Sequence, residues 1–440
     1  MLRIEDTDRE RSRQEFVDAI AAGMAWLGLD ADEGPYFQSA RGELYERRVG
    51  ELIAGGHAYH CFCTPEDVEA KRQQARKDGR NPVYDRTCRD LGHTAADGEA
   101  HVVRLRAPLD GETVINDLVR GPVTFDHREL DDLVLVRSDG SPTFHLVVVV
   151  DDIDMGITHI LRGEDHLSNT PKQAQIFAAL GAEPPRYGHL PLIVGQDRSR
   201  LSKRHGATAL DAYREQGFLP DAVVNYLARL GWSHGDQEIF SREELEQLFD
   251  VGGVGKAAGA FDMEKFTWVN FEHMRGMDDA ALADAVVPYL PDGQRESLDG
   301  RVLTLAVGLL KERAKTLVEL AASCHYFISD DIRYDPKAAG KFLGDAELER
   351  LDAVVGALDG LEAWGHEPIE AAFRGVIEQL DIKLGKLAQP TRVAITGSTV
   401  SPGIFEVCEV LGKERTVGRL RRVCEQARAG SLPLATSDAA

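Results

Sequence analysis

An α/β fold on a parallel sheet, interrupted by a small antiparallel insertion and followed by a mainly helical C-terminal half, is what this sequence predicts. Three observations lead there. Leu2 and Ile4 alternate with charged residues and stop at Asp6-Thr7-Asp8, and apolar Phe16, Ile20, Met24 and Leu27 then recur every three to four residues, a short strand feeding a helix. The run 144–150 is almost continuously apolar and ends in Asp151-Asp152, the pattern of a strand buried on both faces of a parallel sheet, whose carboxyl end is where such sheets bind ligands. From Asp221 onward amphipathic stretches at 222–230, 301–322 and 368–380 carry the helical period.

The elements between follow in order. A second helix is expected from Ser39 or Arg41 to Ala54, stopped by Gly55-Gly56, and Thr64-Pro65-Glu66 reads as the cap and first turn of a third, whose end at 71–80 is charged and solvated. Segments 101–106, 113–118, 123–125 and 133–137 are short, Val-rich and separated by Pro, Gly and Asp, which predicts an antiparallel insertion closed by the turn Asp139-Gly140-Ser141-Pro142. Segment 157–161 repeats the buried-strand design and ends in Arg162-Gly163-Glu164-Asp165, with Ser168-Asn169-Thr170-Pro171 as a helix start.

Composition bounds the function. The chain has 440 residues, enough for two to four domains, and a net charge of -22, which argues against a generally cationic nucleic-acid or membrane surface. The charge is uneven: residues 382–440 hold nine basic and five acidic side chains, so this tail is +4 and the rest -26. Six scattered cysteines make no disulfide framework and suit a reducing cytosol. The longest apolar runs, 146–150 and 302–310, are far too short to cross a membrane, and residues 1–8 lack the layout of a signal peptide.

Three constellations carry chemistry. Glu5, Arg162, Glu164 and Asp165 are expected just past strand ends of one parallel sheet, where carboxylates hold an ammonium and an arginine grips a carboxylate through its fork; solvated strand-end loops are the plainer alternative. The loop GQDRSRLSKRHG (195–206) places Arg198, Arg200, Lys203 and Arg204 within seven residues, suited to charge on a polyphosphate although it is not a Walker loop. Cys61-x-Cys63, then 24 residues, then Cys88 supplies three soft metal ligands, with Tyr84, Asp90, His60 and His93 as candidates for a fourth; buried unliganded cysteines are the alternative.

Together these stretches resemble the bacterial glutamyl-tRNA synthetases, a family of class I aminoacyl-tRNA synthetases. The resemblance rests on LRIEDTDRER, on PTFHLVVVVDDIDMGITHILRGEDHLSNTP (142–171), and on RLSKRHG from Arg200, similar to the family's KMSKS loop. It continues through FDMEKFTWVN, KERAKTLVEL, AQPTRVAITG and SPGIFEVCEVLGKERTVGRL, in order over essentially the whole chain. It implies a Rossmann-type catalytic domain over 1–58 and 143–200, an acceptor-stem-binding insertion over 59–142, a KMSKS-like loop and stem-contact region over 201–276, and a helical anticodon-binding domain over 277–440. It further implies a monomer in the cytoplasm that activates L-glutamate with ATP and Mg2+ and transfers it to tRNA(Glu). On matching positions Glu5 would contact the substrate amino group, Arg162 would grip the side-chain carboxylate, and Lys203 with Arg200 would neutralise the triphosphate, with Asp165 on the ATP side. Cys61, Cys63 and Cys88 match a Zn2+ site found in part of the family, and the Tyr84-x3-Cys88 spacing resembles its variant with a tyrosine ligand.

Two departures from the family stand out. Phe144 replaces a frequent tyrosine beside the substrate, a hydroxyl worth about 1 kcal/mol where water takes its place. The strand and helix that precede LRIEDTD in the family and carry the HIGH motif are not in this sequence, and none of its fourteen histidines lies in a similar tetrapeptide. The expectation is therefore a Rossmann domain lacking its first strand and helix, with impaired catalysis. A reading frame taken to begin too late is the preferred explanation, and a truncated paralogue that binds tRNA without charging it is the other. A glutamyl-queuosine tRNA synthetase is disfavoured because about 165 residues follow Arg275.

Overall fold

The computed structural model describes residues 1–7, 13–96, 98–199, 201, 209–296 and 298–435, and these divide into two units, 1–210 with 224–262 and 211–223 with 263–440. In the first unit, β1 (Arg3–Ile4) leads to α1 (Gln14–Trp26) and pairs in parallel with β2 (Tyr36–Phe37). Gly34 enforces this approach. Its φ is +101°, and a Cβ there would lie 2.5 Å from the Leu2 carbonyl oxygen, closer than any side chain tolerates. The expected face of α1 is covered only toward its C-terminal end: Phe16 and Ile20 are exposed, Met24 is half-buried and Leu27 is buried.

α2 (Gly42–Ala54) and β3 (Ala58–Cys61) follow, and α3 (Pro65–Lys77) opens as its sequence predicts. Thr64 accepts the Asp67 N–H and Asp67 reaches back to the Thr64 N–H, a reciprocal cap that satisfies two donors of the first turn. The insertion is antiparallel. β4 (Val102–Leu105) sits between β3 and β7 (Val134–Val136), while β5 (Glu112–Asp117) and β6 (Gly121–Asp126) form a hairpin.

The run 144–150 is helical, not a strand. It lies in α4 (Phe144–Asp154), in which every residue from Leu146 to Asp152 is buried. A helix buried on all sides shows no polar stripe, so periodicity cannot separate it from a doubly buried strand. The stop signal distinguishes the two: Gly156 takes a positive φ, and the Ile157 N–H closes on the Asp152 carbonyl at 2.9 Å, a helix C-terminus. α4 packs with α2, α5 (Thr170–Ala179) and the insertion strands in one core of Tyr45, Leu52, Leu105, Leu135, Leu146, Val150 and Phe177.

The single parallel sheet expected from the sequence is, among the described residues, several short parallel ladders: β1–β2, then β8 (His159–Gly163) with β9 (Arg186–Leu190), and β10 (Ile193–Val194) with β11 (Gly259–Ala260). The second unit is helical. The stretch 301–322 is broken into Gly300–Leu310 and Leu317–Ile328, because Thr316 caps the Glu319 N–H and starts a new helix. Arg419, almost fully buried, there donates to the carbonyls of Tyr326, Ser329 and Ile395 and pairs with Asp330 at 3.0 Å.

One carboxylate joins the parts of the first unit. Asp151 is completely buried near the end of α4 and accepts from Gln38 Nε2 (2.9 Å), Arg41 Nε (2.8 Å) and the Tyr45 hydroxyl (3.0 Å), while neighbouring Asp152 takes Arg3 Nη1 at 2.7 Å. Asp151→Ala strands these donors and should lower unfolding free energy by about 3 kcal/mol, since removing one side of a buried ion pair leaves the other uncompensated. Cutting the exposed Arg374–Glu370 pair with Arg374→Ala should cost less than about 0.5 kcal/mol. Equilibrium urea unfolding of both variants checks the contrast, and similar losses would deny Asp151 its special place.

Candidate active site

Arg162 projects from within β8, not from beyond its end as the sequence suggested, and its guanidinium is held by neutral groups. Nε donates to His189 Nε2 at 3.2 Å, and Nη2 donates to the Thr170 hydroxyl at 2.8 Å and to the His166 carbonyl at 3.4 Å. The ring of Tyr187 lies 5.4 Å from the guanidinium carbon. No carboxylate among the described residues forms an ion pair with Arg162. Burial holds its pKa below the usual arginine range, only partly opposed by Tyr187, Asp152 and Glu5. A charged side chain in that position favours an incoming anion.

The anion has a place to go. A cleft of about 490 Å³ is lined by Arg162, Leu161 and His166 on one side and by Arg3, Glu5 and Phe144 on the other. Glu5, just beyond β1, lies 3.4 Å from Arg3 Nη2 with its carboxylate partly exposed. Phe144, at the first turn of α4, sits edge-on to His145 and 6.4 Å from His166. Glu5 and Phe144 also line a second cleft of about 830 Å³, with Thr7, Ser39 and Gly140. Ser39 is tied to the segment after β1, because Asp6 accepts its N–H at 2.8 Å. The Nδ1 of His145 is buried without a partner among the described residues, and burial, then Lys172, Arg162 and His166, push its pKa down to about 4.

The remaining expected residues are placed less uniformly. Glu164 is bonded to Arg120 and accepts the Leu192 N–H at 3.2 Å, so it braces the chain instead of facing the cleft. Asp165 is exposed on the short helical turn after β8. Arg200 and Lys203 lie outside the described residues. The basic surplus of 382–440 is largely used internally: Arg415 and Arg419 share Asp330, Arg421 pairs with Asp359, Arg428 pairs with Asp352, and Lys413 donates to the Leu361 carbonyl.

In the insertion, Cys61, Cys63 and Cys88 offer sulfurs all within 4.8 Å of one another. The Tyr84 hydroxyl points into the group, 3.2 Å from Cys61 Sγ and 3.5 Å from Cys63 Sγ, and Cys63 and Cys88 are 3.6 Å apart. The other candidates for a fourth donor turn elsewhere: Asp90 pairs with Arg106 at 2.8 Å, His93 faces Glu99 at 3.3 Å, and His60 Nδ1 accepts the Ala95 N–H. Burial raises the phenol of Tyr84, and hydrogen bonding to the thiols adds to this; burial likewise pushes the Cys63 thiol up to about 11. Fully buried Asp132 steadies the surroundings, accepting from Tyr59, Arg86 and Arg89.

Sequence reasoning missed Asp117, His189 and Thr170, the residues around Arg162. Asp117 ends β5, and 72 residues separate it from His189, whose Nδ1 it meets at 2.6 Å. Only the parallel register that sets Arg162 opposite His189 discloses the connection.

Comparison with known proteins gives this geometry its context. Residues 1–268 match the catalytic domain of the class I tRNA synthetases (E and Q), and residues 281–424 match an anticodon binding domain. A glutamate–tRNA ligase of Thermodesulfovibrio yellowstonii is 49% identical over 431 residues, covering 97% of this chain and 92% of the relative. One of Geobacter sulfurreducens is 50% identical over 422 residues, covering 96% and 90%. The crystal structure of a glutamate tRNA ligase from Elizabethkingia meningosepticum, in complex with its amino acid, matches with a TM-score of 0.85 at 29% identity over 97% of this chain and 92% of that one. A catalytic-domain match over more than half the length and near-half identity along almost all of it mean that the chain belongs to the glutamate–tRNA ligases, class I aminoacyl-tRNA synthetases.

Proposed function

We propose that the cleft between β1, α4 and β8 binds L-glutamate, with Arg162 on the side-chain carboxylate, Glu5 toward the amino group, and Phe144 as the apolar wall between them. The carrying observation is the uncompensated charge of Arg162 facing a cleft that Glu5 also lines. The α-carboxylate would then attack the α-phosphate of ATP, taken as its magnesium complex, forming the glutamyl-adenylate and releasing pyrophosphate. Transfer of the glutamyl group to the terminal adenosine of tRNA(Glu) completes the reaction. Asp165, Arg200 and Lys203 are assigned to the nucleotide, whose phosphates need positioning and charge more than covalent chemistry. The insertion over 59–142 would receive the acceptor stem, 201–276 the stem beyond it, and 277–440 the anticodon. We read the chain as acting in the cytoplasm as a monomer, in keeping with six free cysteines and the absence of any described helix long and apolar enough to cross a membrane.

The cysteine group fits a structural Zn2+. A tetrahedral ion with Zn–S bonds near 2.3 Å and a Zn–O bond near 2.0 Å separates its sulfurs by about 3.8 Å and sulfur from oxygen by about 3.5 Å. Cys61–Tyr84, Cys63–Tyr84 and Cys63–Cys88, at 3.2, 3.5 and 3.6 Å, lie close to those edges, and all three sulfurs fall within 4.8 Å of one another. Such an ion would hold the insertion together and take no part in glutamate activation.

Arg162→Lys removes the fork and its fixed orientation, and calorimetry should show L-glutamate binding weakened about tenfold or more, the worth of one charge-assisted hydrogen bond. L-Glutamine, which has no charged side-chain oxygen, should bind the native chain far more weakly than L-glutamate. Equal binding of the two amino acids would sink the assignment. For the metal, atomic absorption should find about one zinc per chain, and Tyr84→Phe should lose zinc to a competing chelator at least about tenfold more readily, while Asp90→Ala behaves as the native protein. Unchanged retention in Tyr84→Phe would remove tyrosine from the ligand set.

A further inference from the structure

We propose that Asp117 and His189 form a positioning pair that sets how Arg162 presents its guanidinium, through the choice of which His189 nitrogen carries the proton. This rests on the reading of Arg162 as the grip on the substrate carboxylate. His189 and Asp117 are both fully buried, with Nδ1 and Oδ2 2.6 Å apart. Asp117 is ionised: burial raises its pKa, but the N–H groups of Arg120, His189 and Val119 and the His189 ring together hold it below the usual carboxylate range. A carboxylate without a proton only accepts, so His189 Nδ1 must be the donor. Burial keeps the ring neutral, in opposition to Asp117. The proton is therefore on Nδ1, and Nε2 is a bare acceptor.

That acceptor is what Arg162 needs. Nε of Arg162 has one hydrogen, and it is directed at His189 Nε2 at 3.2 Å; Thr170 closes the triangle, 2.8 Å from Arg162 Nη2 and 3.1 Å from His189 Nε2. With Nε and Nη2 engaged, Nη1 has no partner among the described residues, which leaves the end of the guanidinium as the donor edge for a ligand. An Nε2–H tautomer would set donor against donor and force Arg162 to turn. The pair is thus to Arg162 what the orienting acid is to a catalytic histidine: it selects a tautomer without touching substrate.

The hydrogen bonds of Asp117 make the test sharp. Three backbone N–H groups, those of Val119 (2.9 Å), Arg120 (2.8 Å) and His189 (3.2 Å), converge on Oδ1. In Asp117→Asn the amide oxygen must occupy that position, so the amide NH2 faces His189 Nδ1 and donates to it. The tautomer inverts with no change in side-chain shape.

The experiment compares full-length native protein with D117N, H189Q, H189L and R162K. Nitrogen-15 spectra of the histidine rings, with His189 assigned by its loss in H189Q, should show protonated Nδ1 in the native chain and protonated Nε2 in D117N. Calorimetric Kd for L-glutamate should rise about tenfold in D117N and in H189L, with the Kd for ATP within about twofold. H189Q, which keeps an acceptor oxygen for Arg162, should recover most of the affinity lost in H189L. A merely structural role would not separate glutamate from ATP or glutamine from leucine at position 189. An unchanged tautomer in D117N, or an inverted one with native glutamate affinity while R162K is impaired, overturns the relay. Native affinity in R162K overturns the reading of Arg162 itself and this proposal with it, and that variant distinguishes the two failures.

Discussion

A carboxylate that cannot reach water dominates the first unit. Asp151 is completely buried, and an unpaired buried charge costs several kcal/mol, so the fold must bring donors to it from elsewhere in the sequence. Gln38, Arg41 and Tyr45 do so from the entrance and body of α2, while Arg3 of β1 serves adjacent Asp152. The geometry passes from there to the cleft by simple periodicities. Phe144 lies seven residues before Asp151, close to two turns along the same helical face. Glu5 lies two residues beyond Arg3, on the same side of an extended chain. Once the ion pairs are made, Glu5 and Phe144 must line one cleft.

The insertion solves an equivalent problem at Asp132, also fully buried and bound by Tyr59, Arg86 and Arg89. Arg104 closes the arrangement by donating to the Asp132 carbonyl while its guanidinium stacks 4.0 Å from the ring centre of Tyr84. Buried ion pairs contribute little net stability compared with a well-packed apolar replacement. Their contribution here is directional. Through Arg86 and Arg89, Asp132 orients the irregular segment that brings Tyr84 toward the cysteines, a constraint that dispersion between interchangeable aliphatic groups would not impose.

Much of this was legible locally and little of it at range. The capping residues of α3, the β5–β6 hairpin and the cysteine spacing could be read because neighbours in sequence create them. The segment 144–154 could not, since burial on every side erases the polar stripe that distinguishes a helix from a strand, and its valines favour the strand reading. Glu5 and Arg162 were singled out by charge at expected strand ends, and Phe144 through motif resemblance, whereas Asp117 and His189 carry no local signature. A lone histidine in Tyr187-Gly188-His189 looks like an ordinary strand residue until β8 and β9 are paired. Glu164 shows the opposite error: a carboxylate at a strand end suggested a ligand contact, but Arg120 takes it.

Arginines in this unit divide by what compensates their charge, and the division bears on function. Arg3, Arg41, Arg86 and Arg89 are paired with carboxylates of the chain. Their positive charge is matched in the folded protein, and an incoming anion would have to displace an internal one. Arg162 is treated differently, with a hydroxyl, an imidazole nitrogen and a backbone carbonyl meeting its hydrogens. Neutral acceptors satisfy hydrogen-bonding geometry without cancelling charge, so its field persists into the cleft. Under the proposed function this is also a basis for selectivity. A carboxylate entering beside Arg162 gains both hydrogen bonds and charge compensation, whereas an isosteric amide gains at most the former and presents N–H groups to a donor that cannot accept them. Replacing the neutral supports with an aspartate would hold Arg162 just as firmly and remove the reason for it to bind a ligand.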